Sequence, residues 1–307
     1  MIYFLIVVGL ILALLLVAGE LGFRIAIVRP KKKKTPKTEA HKERLIIRQR
    51  NNENFHALKP EDLSIKSADG LVLRSWYLPA KEETKRFALL AHGHKCNGPD
   101  EFSHMIPFYH NELKYNVLLP DHRAHGRSEG KYMGFGALDH KDVLLWVDYL
   151  IKRFGEDIEI VLHGISMGAA TVMLANSANP PEQVKLIVED CGFTDCHEET
   201  AHVLKGMIGF NFPLIVNLSS AICKIRAGYY FKDADCLGQM KNAARPVLFI
   251  HGDADTYVPT EMVYRLHDAC PTAKDLLIVE GAIHAYSYYD APKLYQDKLK
   301  SFFKEHI

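Results

Sequence analysis

The sequence predicts an α/β fold in which a mostly parallel central sheet is covered by helices on both faces, and three observations predict it. Six short apolar runs, FALLAH (87–92), NVLLPD (116–121), EIVLHG (159–164), VKLIVED (184–190), PVLFIHG (246–252) and DLLIVEG (275–281), are continuous rather than alternating, as in strands buried on both faces. Amphipathic stretches near 100–114, 137–154, 167–178, 260–270 and 290–305 separate them as crossover helices would. Serine, aspartate and histidine directly follow several of the runs, and in parallel sheets ligand sites gather at the carboxyl ends of the strands.

The elements follow in order. Residues 1–29 read as a transmembrane anchor: Ile2 to Gly19 carries no charge, and Leu21 to Val28 can extend the run past Glu20. A signal peptide cut after Gly19 is the competing reading; against it, no basic residue precedes the apolar run and a dense basic cluster follows it. Because positive charge beside a span stays in the cytoplasm, the expectation is a single-pass cell-membrane protein with its body on the cytoplasmic side. Residues 30–60 read as a basic polar tether, partly helical, with LIIRQ as its apolar island and Lys31 to Lys34 placed to meet anionic lipid or solvent. From 61 to 307 the chain reads as the folded body, opened by the strands DLSIKS and LVLRSWYLP around a turn at Asp69-Gly70.

Composition narrows the function classes. The 307 residues, 48% of them hydrophobic, suit one large domain with an accessory segment. The net charge of +1 hides an asymmetry: eleven Lys or Arg against two Glu between Arg24 and Arg50 give +9, leaving about −8 elsewhere. An acidic body excludes nucleic acid as an expected partner. Six cysteines, at 96, 191, 196, 223, 236 and 270, form no C-x-x-C pair and no Cys/His metal spacing, so reduced buried thiols and no metal site are expected.

The stretch VLHGISMGAA centres on Ser166. Taken alone, G-x-S-x-G also describes a serine capping a helix. Here it follows an apolar strand and precedes an Ala-rich helix, the setting of a strained nucleophile turn, where Gly164 and Gly168 avoid collisions across the bend. A serine hydroxyl needs a base, and the base needs a partner that fixes its tautomer. In the order serine, acid, histidine, the loop DADTYVP after PVLFIHG offers Asp253 and Asp255, and AIHAYSYYD after DLLIVEG offers His284.

From Leu63 to Phe303, the motifs AHGHKCN, DHRAHGRSEG, HGISMGAA, HGDADTYVP and GAIHA together resemble the serine hydrolases of the α/β-hydrolase superfamily, particularly bacterial membrane-anchored esterases and lipases. The resemblance implies an α/β-hydrolase fold. Its H-G-x-x-D-x-x-V-P pattern selects Asp255 as the acid, leaves Asp253 to tie down the turn, and matches His284 rather than His306 to the base. It implies oxyanion donors at the backbone N–H of Met167 and of His94, with Lys95 the neighbouring alternative. It gives the loop Asp121 to Ser128 a structural role and keeps Asp190 as a second candidate acid. This chain departs from the commoner form in HGHKCNG, where a histidine and a lysine stand beside the site, facing solvent or an acidic substrate group.

Residues 194–240 interrupt the strand-helix alternation where relatives carry a cap, and read as a helical lid whose Met207, Ile208, Phe210, Phe212, Leu214 and Ile215 line an acyl pocket. His197 and His202 are expected on its surface. The resulting expectation is a carboxylesterase of lipophilic esters that uses Ser166, His284 and Asp255 through an acyl-enzyme, without cofactor. Thioesterase, peptidase and acyltransferase chemistry on the same triad remain alternatives, as does a non-catalytic membrane-tethered binding protein.

Overall fold

The computed structural model describes residues 1–30 and 39–307, with the backbone alone over 39–44. The first helix, α1 (Ile2–Ile27), is followed by α2 (Glu39–Ala57). A hairpin, β1 (Glu61–Lys66) and β2 (Val72–Leu78), turns through Gly70 at φ +87°. Next come β3 (Arg86–Ala91), α3 (Gly98–Phe102), a π-helical turn at Pro107–Glu112, β4 (Asn116–Pro120), α4 (Asp139–Phe154), β5 (Glu159–Ile165), α5 (Met167–Ser177) and β6 (Val184–Asp190). The remainder is α6 (Cys196–Ile208), α7 (Pro213–Ala227), a 3-10 turn at Phe231–Asp233, α8 (Cys236–Met240), β7 (Val247–Gly252), α9 (Glu261–Ala269), β8 (Lys274–Val279), α10 (Ser287–Asp290) and α11 (Pro292–His306).

The eight strands form one sheet in the order β1-β2-β4-β3-β5-β6-β7-β8. β1 and β2 are antiparallel to each other, β2 is antiparallel to β4, and every pairing from β4 to β8 is parallel. The six apolar runs are the six parallel strands, and two apolar clusters pack on the two faces. One gathers Trp146, Val147 and Leu150 of α4 with Met262 and Leu266 of α9; the other gathers Phe102, Phe108, Tyr109 and, from α11, Phe302. The helix expected near 100–114 is instead α3 and a π turn, because Pro107 has no N–H with which to continue a helical ladder.

The amino-terminal expectations need correction. Residues 1–29 were expected to be an anchor apart from the body, but α1 belongs to both. Ile2 to Leu14 are exposed, whereas Gly19, Phe23 and Ile27, spaced four apart on one helix face, are buried. Phe23 and Ile27 enter the core, and burial of each stabilises by about 1.5–3 kcal/mol. Close approach to α7 requires small residues on α1. A Cβ on Gly19 would lie 2.7 Å from Leu218 Cβ and one on Gly22 2.4 Å from Ser219 Oγ, while that hydroxyl donates to Gly19 O at 2.9 Å. The segment then pairs with the body through Met133 N to Ile27 O (2.8 Å) and Arg29 N to Lys131 O (3.0 Å).

The tether expected at 30–60 also divides. The Lys31 to Lys34 run lies outside the described residues, and α2 is docked rather than free, with Phe55 buried on the sheet face shared with α3. Asn52 accepts from Ser103 Oγ at 3.0 Å and donates to Asp100.

Candidate active site

The strand β5 delivers Ser166 into a backbone conformation, φ 56° and ψ −116°, that L residues adopt only when surrounding structure imposes it. The two glycines explain how the turn can exist. A Cβ on Gly164 would lie 2.1 Å from Gly168 O, and one on Gly168 would lie 1.8 Å from Ala91 O. The serine N–H is held by Asp190 O at 2.8 Å, and the side chain projects beyond the sheet at the start of α5.

Asp255 and His284 arrive from the loops after β7 and β8. His284 Nε2 lies 2.9 Å from Ser166 Oγ, and His284 Nδ1 lies 2.7 Å from Asp255 Oδ2. An ionised carboxylate only accepts, so Nδ1 carries the proton and Nε2 is left to accept from the serine hydroxyl. Asp255 is fixed by two backbone donors on its other oxygen, Tyr257 N and Val258 N, each at 2.9 Å. Burial alone would raise its pKa, but hydrogen bonds from His251 and His284 outweigh that and hold the carboxyl well below the usual carboxylate range.

The other acids have different partners. Asp253 is exposed and accepts from Gly281 N at 2.6 Å, which ties the two loops together. Asp190 accepts from Tyr295 Oη at 2.9 Å, within a buried chain that continues to His163 and Tyr109, and burial pushes it up to about 6. His306 packs on Phe302 at the end of α11. Asp121 receives Gly98 N (3.1 Å) and Arg127 N (2.9 Å), while Arg123 is paired with Asp142 and Asp69. In that loop His125 Nε2 accepts Lys95 N at 3.1 Å and its Nδ1 donates to Arg123 O, so the ring is neutral; burial lowers its pKa to about 3.

The expected oxyanion donors flank Ser166. Lys95 N is committed to His125, whereas the backbone N–H groups of His94 and Met167 meet no acceptor among the described residues. The HGHK loop was expected to face solvent or substrate; Lys95 is exposed and both His94 and Lys95 line the Ser166 cavity, and their side chains also reach the amino-terminal helix. His94 Nε2 donates to Ala26 O at 2.7 Å and Lys95 Nζ donates to Ile25 O at 2.5 Å. Both satisfy carbonyls that the last turn of α1 leaves unpaired. The loop beside the serine is thus built onto the amino-terminal helix.

A cavity of about 320 Å³ is lined by Ser166, Met167, Phe193 and Tyr257, whose ring centroid lies 4.9 Å from that of His284. Leu21, Gly22 and Ile25 of α1 and Val203, Leu204 and Met207 of α6 also line it. Of the expected lining residues, Met207, Ile208 and Ile215 contribute; Phe210, Phe212 and Leu214 instead form the turn between α6 and α7 and the start of α7, because the α6 helix ends at the left-handed Gly209 and carries them past the cavity. His197 bonds Asn217 and His202 bonds Thr256 O.

Two further residues, His251 and Glu199, are not singled out by the sequence. His251, in the same motif as Asp255, is fully buried with Nε2 donating to Val258 O at 3.0 Å and lying 3.3 Å from Asp255 Oδ2. Glu199 lines the cavity at 4% exposure with neither carboxyl oxygen hydrogen-bonded among the described residues, and burial pushes its pKa up to about 9. Cys191, Asp255 and His284 offer donor atoms within 4.8 Å of one another, but the Asp255–His284 hydrogen bond already occupies two members of that group.

Comparison with known proteins agrees with this geometry at the level of the superfamily. The sequence model of the family described as serine aminopeptidase, S33, matches residues 101–210, which include Ser166 and stop before Asp255 and His284. The Bacillus subtilis protein YqkD is 28% identical over 81% of this chain and 81% of its own length. The lysophosphatidylserine lipase ABHD12 of Danio rerio is 26% identical over 66% of this chain, which spans about half (51%) of that relative. The Pyrococcus furiosus esterase Pf2001 superposes with a TM-score of 0.67 at 20% identity, covering 91% of this chain and 98% of the esterase, and shares its fold. The chain has the α/β-hydrolase fold, and its sequence is similar to that of hydrolases of the α/β-hydrolase superfamily.

Proposed function

We propose that this protein is a serine carboxylesterase acting on esters with apolar acyl groups, held at the membrane by α1 with its body on the cytoplasmic side. The observation that carries the reading is the continuous chain Ser166 Oγ, His284 Nε2, His284 Nδ1, Asp255 Oδ2, with hydrogen bonds of 2.9 and 2.7 Å. Ser166 Oγ attacks the ester carbonyl carbon as its proton passes to His284 Nε2, and the imidazolium so formed is stabilised by Asp255. The carbonyl oxygen, now an oxyanion, accepts from the N–H groups of His94 and Met167. Collapse of the tetrahedral adduct expels the alcohol, which takes the proton from Nε2. Water then attacks the acyl-enzyme, giving its proton to the same nitrogen, and the carboxylic acid leaves as Ser166 regains its hydrogen.

The apolar lining of the cavity supports an acyl chain as the group bound there. The lipase and esterase named among its relatives agree with that substrate class. The membrane reading rests on the charge-free run of α1 and on the basic cluster that follows it. A series of p-nitrophenyl esters from acetate to dodecanoate, offered to the full chain in detergent, tests the proposal. Hydrolysis is expected to favour the longer members, and Ser166→Ala and His284→Ala are each expected to lose on the order of 10³-fold or more in kcat. Turnover at the parent rate in either variant would remove the assignment.

A further inference from the structure

We infer that α1 and the tip formed by α6 and α7 make one bilayer-seated face, onto which the Ser166 cavity opens, so that the enzyme draws the acyl chain of its substrate directly from the membrane. The inference deepens the esterase reading and rests on it for the identity of the substrate, though not for the seating of the face.

The first support is the length of α1. From Ile2 to Gly19, the residues before the first charge, the helix rises about 27 Å, slightly less than the roughly 30 Å of a hydrocarbon core. Gly19 is already packed on α7. A spanning α1 therefore brings the body against the bilayer, with no free linker between them. The first acid, Glu20, is neutralised there by Arg24 and Arg226, each at 2.7 Å.

The second support is what surrounds the helix as it joins the body. Met207, Phe210 and Leu214 at the α6–α7 tip are 63%, 57% and 45% exposed, and Leu21 and Ile25 of α1 are each more than half exposed. Met207 shares the cavity with Leu21 and Ile25, and Leu214 precedes Ile215, which contacts Gly22; the exposed apolar side chains are thus continuous with the helix. A patch of this kind on a water-facing surface needs a partner. Exposed Lys205, two residues before Met207 on α6, adds a positive charge of the kind that meets anionic headgroups. A bilayer fits all of these features together, because the same helix that supplies the patch continues into Ile2 to Leu14, apolar on every side.

The third support is the cavity itself. One wall is α1, so a chain lying in the cavity lies along the membrane helix, and Met207 and Ile208 are both cavity-lining and exposed, placing the rim of the cavity on the apolar face. An acyl chain entering there exchanges lipid contacts for Leu21, Ile25 and Met207 without crossing water.

The test uses the full chain reconstituted into phosphatidylcholine vesicles containing phosphatidylglycerol, with two esters: a vesicle-resident fluorogenic oleate ester and a water-soluble butyrate ester. The double variant Phe210→Asp, Leu214→Asp, both outside the cavity, is expected to lower oleate turnover roughly tenfold or more while butyrate turnover stays within about twofold. Equal oleate turnover in parent and double variant would overturn the inference, as it would if the patch served a protein partner. Seating is read independently of catalysis with Phe210→Trp, whose added indole fluorescence should be quenched by brominated phosphatidylcholine; absence of quenching overturns the face whatever the turnover. If the parent cleaves neither ester while the indole of the Phe210→Trp variant is quenched, the esterase reading fails, the substrate assignment fails with it, and the seated face stands.

Discussion

Two pairs of glycines hold this site together, and they do so at different ranges. Gly164 and Gly168 let the chain bend around Ser166, where a Cβ would meet backbone at 2.1 and 1.8 Å. Gly19 and Gly22 let α1 settle on α7, where a Cβ would meet side chains at 2.7 and 2.4 Å. The first pair solves a local problem between neighbours in sequence. The second joins segments about 200 residues apart and completes the cavity wall. Backbone cannot yield as a side chain can, so the elbow should tolerate substitution least.

The largest effect is accordingly expected for Gly168→Ala. Its Cβ falls on Ala91 O, so β3 or the elbow must move, and ester turnover should fall to the level of Ser166→Ala. Wild-type kcat in that variant would show that the turn is looser than described. Next is Asp255→Asn, expected to cost on the order of 10³ to 10⁴ in kcat because an amide no longer holds Nδ1–H of His284. Asp190→Asn should cost less than about tenfold, since its side chain bonds Tyr295. The reverse ranking would move the acid to β6.

On the long-range side, Gly22→Leu should unseat α1 from Ser219 and loosen the loop that His94 and Lys95 hold to Ala26 and Ile25. Long-chain turnover is expected to fall by roughly ten- to a hundredfold, a loss of about 1.4–2.8 kcal/mol in transition-state stabilisation, while the core still melts cooperatively. An unchanged chain-length profile would separate α1 from the cavity.

The smallest effect concerns Glu199. Its folded pKa is raised to about 9 from an unfolded value of roughly 4.3, so between these limits the unfolded chain has released a proton that the folded chain retains. Stability contributed by the neutral, buried acid is full below about pH 4.3 and is lost as pH rises toward 9. Glu199→Gln should remove this slope, leaving the variant more stable than the parent at pH 8 by on the order of 1 kcal/mol or more, and least different at about pH 4.5. Thermal melts at the two pH values decide it; parallel losses would mean that Glu199 is already ionised in the fold.

The same division of range explains what could be read from sequence. The six parallel strands, the turn at Asp69-Gly70 and the positions of Ser166, Asp255 and His284 were legible because each depends on a few adjacent residues and on the rule that sites lie at strand ends. Gly19, Phe23 and Ile27 sat inside a run apolar on every side, so the stripe that packs on the body could not be told from the residues left exposed. The hydrogen bonds of His94 and Lys95 to the Ala26 and Ile25 carbonyls were not legible, because these acceptors come from a segment about 70 residues away that reads as an anchor. Phe210 and Leu214 carried the right chemistry for a lining, but the end of α6 at Gly209 decides where they stand. Glu199 gave no signal at all, because what distinguishes it is that folding leaves its carboxyl without a hydrogen-bond partner among the described residues.

The central claim is that Ser166 is a nucleophile activated by His284. Its most direct test is the rate at which a fluorophosphonate modifies the full chain, with the adduct located by peptide mapping. The account predicts one adduct, on Ser166, formed at least about a hundredfold more slowly in His284→Ala. Equal rates in the two proteins, or an adduct on another residue, would contradict it.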